Sequence, residues 1–422
     1  MKVLSFIVLA ALAAGIAVGA WIRADAPQLT EAANIIEAFG GLWLNALRMT
    51  VVPLVVSLLI VGIASVADAA KTGGLVLRAI ILFSVLLIFA ALYSIAVTNS
   101  ALQYWPIDPG PASAFLTGAG AGAPEIDAPP SFGEWLQGLA PANPVQAAAD
   151  NAILPLVVFS VFFGFAATRL EATLRDSIVT FFRAVSEAMI VVVRWVLVAG
   201  PFGVFALALG VGLRAGFGAA QTLAHYVVLV SAVTLGVTFI AWLVAILFAR
   251  QPIARFTTAA APVWAIAAST QSSLASLPAM LDAALRGLGV PARVADVALP
   301  LAVAVFRFTS PVANIAVCIF VARLYGIEPT LFQYVGAVFV AFGVSVGSVG
   351  LPGQISFVAS IAPISLALGV PTELLGILLA VEVIPDIFRT LGNVTGDLAA
   401  TSILARGETA KSYSTSPSST AA

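Results

Sequence analysis

The sequence predicts an all-α membrane protein of eight transmembrane helices plus two re-entrant helical hairpins. Three observations carry that expectation. The 422 residues are 61% hydrophobic and only 9% charged, against about 25% charged in a soluble domain, and mean hydropathy is +1.08. Eight apolar runs are each long enough to cross a hydrocarbon core of roughly 30 Å. Two further apolar segments, 253–288 and 331–370, are interrupted in the middle.

The elements follow in order. The first run, 3–22, follows Met1-Lys2 and precedes Ala24-Asp25-Ala26, as in a signal peptide. It exceeds the roughly 7–15 residues of a signal core and reads as a retained first helix. The runs at 42–68, 75–104, 148–168, 177–212 and 222–249 follow, then 293–324 and 372–404. Segment 105–147 holds Asp108, Glu125, Asp127 and Glu134, with no Lys or Arg, and is read as an extracytoplasmic loop. Lys71, Arg78, Arg169, Arg250 and Arg406 then fall on the opposite, cytoplasmic side, as the positive-inside rule requires. The polar end, 406–422, reads as a disordered cytoplasmic tail.

Each interrupted segment has halves too short to span alone. The breaks lie at Ser269 to Pro278 and at Ser345 to Gly353. Non-helical backbone is tolerated at membrane depth only where protein or a wet cavity receives it. Each hairpin precedes a long run, so the last 170 residues or so form a repeat of inverted topology. Such matched interruptions point to a binding site near the midplane.

Several classes of function are excluded. A net charge of −1 gives no footprint for nucleic acid. The single cysteine, Cys318, permits neither an intramolecular disulfide nor a cysteine metal cluster, and the single histidine is His225. Neither a phosphate-binding P-loop nor a nucleophile elbow occurs, so no enzyme is expected and no cofactor beyond a coupling ion such as Na⁺.

The residues that could carry chemistry cluster at the end. On a helix, Glu382, Asp386, Arg389, Asn393 and Asp397 fall at roughly 0°, 40°, 340°, 20° and 60°, one narrow stripe. One reading is internal: Asp386 and Arg389 as a salt bridge three residues apart. The other is functional, because ionisable groups in a bilayer are costly and mark pathways. Arg389 offers a planar fork for a carboxylate, Asp386 can meet an ammonium, and Asn393 and Asp397 offer hard oxygens for Na⁺ or a proton. Hairpin tips add free backbone groups and the hydroxyls of Ser272, Ser273, Ser276 and Ser348. Arg307 needs a partner in its span, and Glu382 or Asp397 are the obvious acids.

These residues resemble the glutamate transporter family, the dicarboxylate/amino acid:cation symporters. Asp386-Ile-Phe-Arg-Thr-Leu-Gly-Asn-Val-Thr-Gly-Asp397 is similar to its last-helix motif, and Ser345 to Gly353 to its second hairpin tip. The likeness runs from about residue 1 to 405. It implies a homotrimer with an elevator-type mechanism. Scaffold helices would occupy 1–70 and 148–215, and the mobile transport domain 71–104 and 216–405. Carried over by position, it implies substrate contacts at Gln271, Ser272, Ser273, Cys318, Val349, Gly350, Asp386, Arg389, Thr390 and Asn393. Sodium contacts would fall at Ser310, Asn314, Asn393 and Asp397.

Departures from that pattern shape the expectation. Where the family reads Asn-Met-Asp-Gly-Thr, Asn314-Ile-Ala-Val-Cys318 is matched, so Ala316 replaces a sodium-binding Asp. A Thr-Ser pair of the third span becomes Leu86-Leu87. Arg307 and Glu382 are therefore assigned to charge compensation. The expected function is symport of an acidic amino acid or dicarboxylate across a cell inner membrane, coupled to Na⁺ and/or H⁺ with a reduced sodium set. The alternatives are a neutral amino acid transporter of the same fold or a non-concentrating sensor.

Overall fold

A computed structural model describes residues 2–71, 73–119, 132–216, 218–347 and 353–414. Among them every regular element is helical. The first group comprises α1 (Lys2–Asp25), α2 (Thr30–Arg48), α3 (Val51–Lys71) and α4 (Gly74–Tyr104). Three short helices, α5 (Pro109–Gly118), α6 (Phe132–Gly138) and α7 (Pro144–Ala149), lie in the segment read as a loop. Then come α8 (Ile153–Ala167), α9 (Ala172–Val198), α10 (Gly200–Ala215) and α11 (Gly218–Leu247). The remainder is α12 (Ile253–Thr270), α13 (Ser273–Asp282), α14 (Ala292–Val305), α15 (Ser310–Leu324), α16 (Leu331–Gly347), α17 (Gly353–Ala367), α18 (Leu375–Val381) and α19 (Val383–Ser414).

Five described stretches are long and apolar enough to cross a membrane, and six if α9 and α10, bent by 60°, count as one span. The outer wall is apolar for the same reason a soluble protein's is polar. Along α4, Leu77, Ile81, Val85, Ile88 and Leu92 are all exposed. Their spacing of three and four residues makes one stripe of helix surface, and only hydrocarbon suits it.

Several predicted runs are broken in ways that periodicity does not show. The run 293–324 is two helices, α14 and α15, parted at Phe306–Thr309. Pro311 contributes to that break, since it has no N–H and its ring crowds the carbonyl four residues back, Arg307. The last run divides at Glu382 into α18 and α19. Helix α19 then continues to Ser414, through the first nine residues of the stretch read as a disordered tail.

Two helical hairpins are present as packed pairs, α12 with α13 and α16 with α17. The first turns at Gln271, whose φ of 53° is left-handed. Ser272 then caps α13, its hydroxyl accepting from the Ala275 amide at 3.2 Å. The second tip, including Ser348, Val349 and Gly350, lies outside the described residues. At the centre stands α15, buried along its whole length except Arg323. Helix α19 packs on α11, α12 and α14.

Helices α1 and α10 meet closely. A Cβ on Gly19 would strike the Leu209 carbonyl, and one on Gly212 the Ile16 carbonyl. Lipid tails give no hydrophobic drive to helix pairing, so small residues that let backbones touch supply the packing instead.

Candidate functional site

The site forms where the α14–α15 break faces α19. At Phe306 the chain leaves the helix, with φ −111° and ψ 72°. Thr309 repairs the backbone there. Its amide donates to Asn393 Oδ1 at 2.9 Å, and its hydroxyl lies 2.8 Å from the Arg389 carbonyl and 2.9 Å from Asn393 Oδ1. The break is thereby fastened to α19. Opposite it comes the first hairpin tip, where Gln271 Nε2 donates to the Val383 carbonyl at 2.9 Å.

Between these elements lies a cavity of about 10 Å³, lined by Gln271, Ser273, Val303, Phe306, Arg307, Asp386, Thr390, Asn393 and Asp397. That volume suits about one water centre. The stripe residues Asp386, Asn393 and Asp397 therefore do converge on one space, with Ser273 from the hairpin and Arg307 from the break. Asp397 is 1% exposed, and neither of its carboxylate oxygens has a hydrogen-bond donor. Arg307 shares the cavity wall with Asp386 and with Asp397, one of the two acids foreseen for it.

Arg389 has turned elsewhere. Its Nε lies 2.8 Å from Glu382 Oε1, with Glu382 fully buried. The angle is poor for a hydrogen bond and both atoms lack one, so this is an ion pair by proximity. Nη1 donates to Asn314 Oδ1 at 2.8 Å. Glu382 is held from its other side by the Tyr226 hydroxyl, which donates to Oε2 at 2.9 Å. Arg389 thus pairs with Glu382, an acid seven residues back on the same stripe.

The remaining expected residues separate into groups. Ser272 serves the cap of α13, and Thr390 donates to the Asp386 carbonyl at 2.9 Å while facing the cavity. Cys318 does not line the cavity. It is wholly buried between α15 and α17, its sulfur 3.2 Å from Ser365 Oγ. Asn314 and Ser310 bond each other at 3.2 Å. Asn314 to Cys318 lies within the unbroken α15, whose backbone groups satisfy one another. The chain opens at Phe306–Thr309 instead, one turn before Asn314. Sequence reasoning missed Tyr226 and Thr309. Thr309 stands between Arg307 and Ser310, and Tyr226 follows the single histidine, His225, and those neighbours were the available signal.

Buried paired acids and guanidiniums, set around a broken helix and a hairpin tip inside an apolar helical wall, are the polar interior of a membrane transporter. The comparisons identify which kind. Residues 4–407 match the model of the sodium:dicarboxylate symporter family, and the chain belongs to that family. It is a multi-pass protein of the cell inner membrane and a transporter, not an enzyme. It is 29% identical to the proton/glutamate-aspartate symporter of Escherichia coli over 96% of this chain and 93% of the relative. It is 25% identical to the C4-dicarboxylate transport protein of Bacillus subtilis, over 88% and 87%. With the human neutral amino acid transporter B(0) it shares 26% identity over 96% and 80%.

Proposed function

We propose that the chain is a secondary active symporter for an acidic amino acid or dicarboxylate, coupled to protons with a reduced sodium requirement. The observation that carries this reading is the buried pair of Arg389 and Glu382. A guanidinium held by an exchangeable acid is poised to accept a substrate carboxylate in its place. Protonating Glu382 removes its hold on Arg389, which couples proton entry to substrate binding. Asp386 and Thr390 then stand ready for the other end of the substrate.

The cavity is too small for such a substrate, so binding requires the first hairpin, the second hairpin or both to part from α19. Eight spans, two re-entrant hairpins, a homotrimer and an elevator movement of 71–104 and 216–405 against 1–70 and 148–215 fit this requirement. A neutral amino acid is the second reading, favoured by the engagement of Arg389 away from the cavity.

The test is uptake of labelled aspartate and succinate into proteoliposomes under separately imposed H⁺ and Na⁺ gradients. Concentrative uptake driven by the H⁺ gradient, with weak sodium dependence, is expected. A steep dependence on several sodium ions would refute the coupling. Binding without accumulation under either gradient would instead mark a sensor.

A further inference from the structure

The oxygens of the expected sodium site can be audited one by one. Asn393 Oδ1 accepts from the Thr309 amide at 2.9 Å and lies 2.9 Å from the Thr309 hydroxyl, whose single proton is shared with the Arg389 carbonyl at 2.8 Å. Asn314 Oδ1 accepts from Arg389 at 2.8 Å. Ser310 Oγ accepts from Asn314 at 3.2 Å. Three of the four expected ligands therefore already accept from a protein donor, which leaves each at most one further acceptor site. Asp397 alone has unengaged oxygens, and one carboxylate is not a shell for a hard cation, which takes a set of oxygens. Among the described residues there is also no cluster of three His, Cys, Asp or Glu. With Arg307 standing in the same cavity wall as Asp397 and Asn393, these residues do not fit a mobile sodium ion.

They do fit a cation already attached to the chain. Arg307 stands on the break, its side chain in the wall of the cavity that Asp386 and Asp397 also line. Those are the two acids whose charges favour it, while Glu382 is occupied by Arg389. A buried carboxylate needs a matching charge, and a guanidinium supplies one that cannot diffuse away or lose its proton.

We propose that Arg307 is a tethered cation whose single charge offsets one of the two carboxylates, Asp386 and Asp397, in place of a sodium ion, so that this carrier cycles without sodium at that position. The proposal rests on the symporter reading of the same site and specifies how one of its ions has been replaced. It makes Arg307 a residue that determines ion dependence.

The experiment uses the full chain in lipid nanodiscs without substrate, and sodium alone is the probe. Unfolding midpoints are measured against NaCl, with choline chloride holding ionic strength constant. Wild type and Arg307→Lys are expected to respond equally to the two salts. Arg307→Met is expected to gain a saturable sodium-specific rise, because a ligand that binds only the folded state stabilises it by mass action. Adding Asp397→Asn to that variant should abolish the rise. An equal sodium response in wild type and Arg307→Met overturns the proposal, as does no response in a folded Arg307→Met. If the Met variant does not fold, Arg307→Gln is read by the same criteria. Wild type also decides alone: a saturable sodium response lost on Asp397→Asn overturns the idea. Because no substrate is present, failed uptake would count against the symporter reading and leave this result standing.

Discussion

Glu382→Gln tests the exchange at Arg389 most directly. The change keeps the shape of the side chain and an oxygen for Tyr226 to donate to, but removes the charge facing Arg389. In wild type, an acidic substrate must displace a fully buried carboxylate whose Oε1 lies 2.8 Å from Arg389 Nε. An interaction with a charged hydrogen-bonding group is worth about 1.5–3 kcal/mol. Each 1.4 kcal/mol or so is tenfold in affinity. Removing the competitor should therefore tighten acidic-substrate binding roughly 10- to 100-fold at about pH 8. Where protonation takes the charge off Glu382 in wild type, the two proteins should converge. Titration calorimetry with aspartate and succinate at about pH 5.5 and pH 8 measures both effects. Unchanged affinity together with an unchanged pH slope would refute the exchange. The empty variant should also unfold at lower temperature, since breaking a buried pair leaves Arg389 charged and costs up to about 3–5 kcal/mol, partly offset by Asn314.

Three further outcomes are expected. Tyr226→Phe removes the donor to Glu382 Oε2 and should cost about 1–3 kcal/mol of stability, read as a lowered unfolding midpoint. Gly392→Ala would drive a Cβ into the Thr309 methyl and the Thr238 hydroxyl; overpacking of about 1–3 kcal/mol should lower the midpoint and slow uptake by separating α19 from the break. Gln271→Ala cuts the hydrogen bond from the first hairpin tip to Val383, and a cysteine introduced at Ser273 should then react faster with a water-soluble thiol reagent; an unchanged rate would show that the tip is held by other contacts.

Much of the site was legible because it lies on one helix. A period of 3.6 put Asp386, Asn393 and Asp397 on a single face, and three-dimensional structure kept them there. The same wheel placed Glu382 and Arg389 only about 20° apart. They seemed too far along the axis, since seven residues rise about 10.5 Å. The division of α18 from α19 at Glu382 is a local departure that no periodicity encodes. Arg307 was visible as a charge in a span, but its acids belong to another element, and facing between elements cannot be read from spacing. The break at Phe306–Thr309 was hidden for a related reason. Phe306 and Phe308 are apolar and fully or almost fully buried, so hydropathy runs through the interruption unchanged. Cys318 is a further case: motif matching places it at the substrate, while its contact with Ser365, 47 residues on, is one that no spacing encodes.

The glycine contact between α1 and α10 has a mechanical consequence. Two backbones in direct touch leave no groove for an acyl chain, so the pair is sealed against lipid. A thicker or thinner bilayer cannot be accommodated by parting them, and the two helices must tilt as one beam. Hydrophobic mismatch then becomes a torque on whatever is packed against that beam. Helix α18, which touches both α1 and α10 and leads directly into Glu382, is the element that would transmit it. Membrane thickness is thus linked through rigid geometry to the acid that holds Arg389.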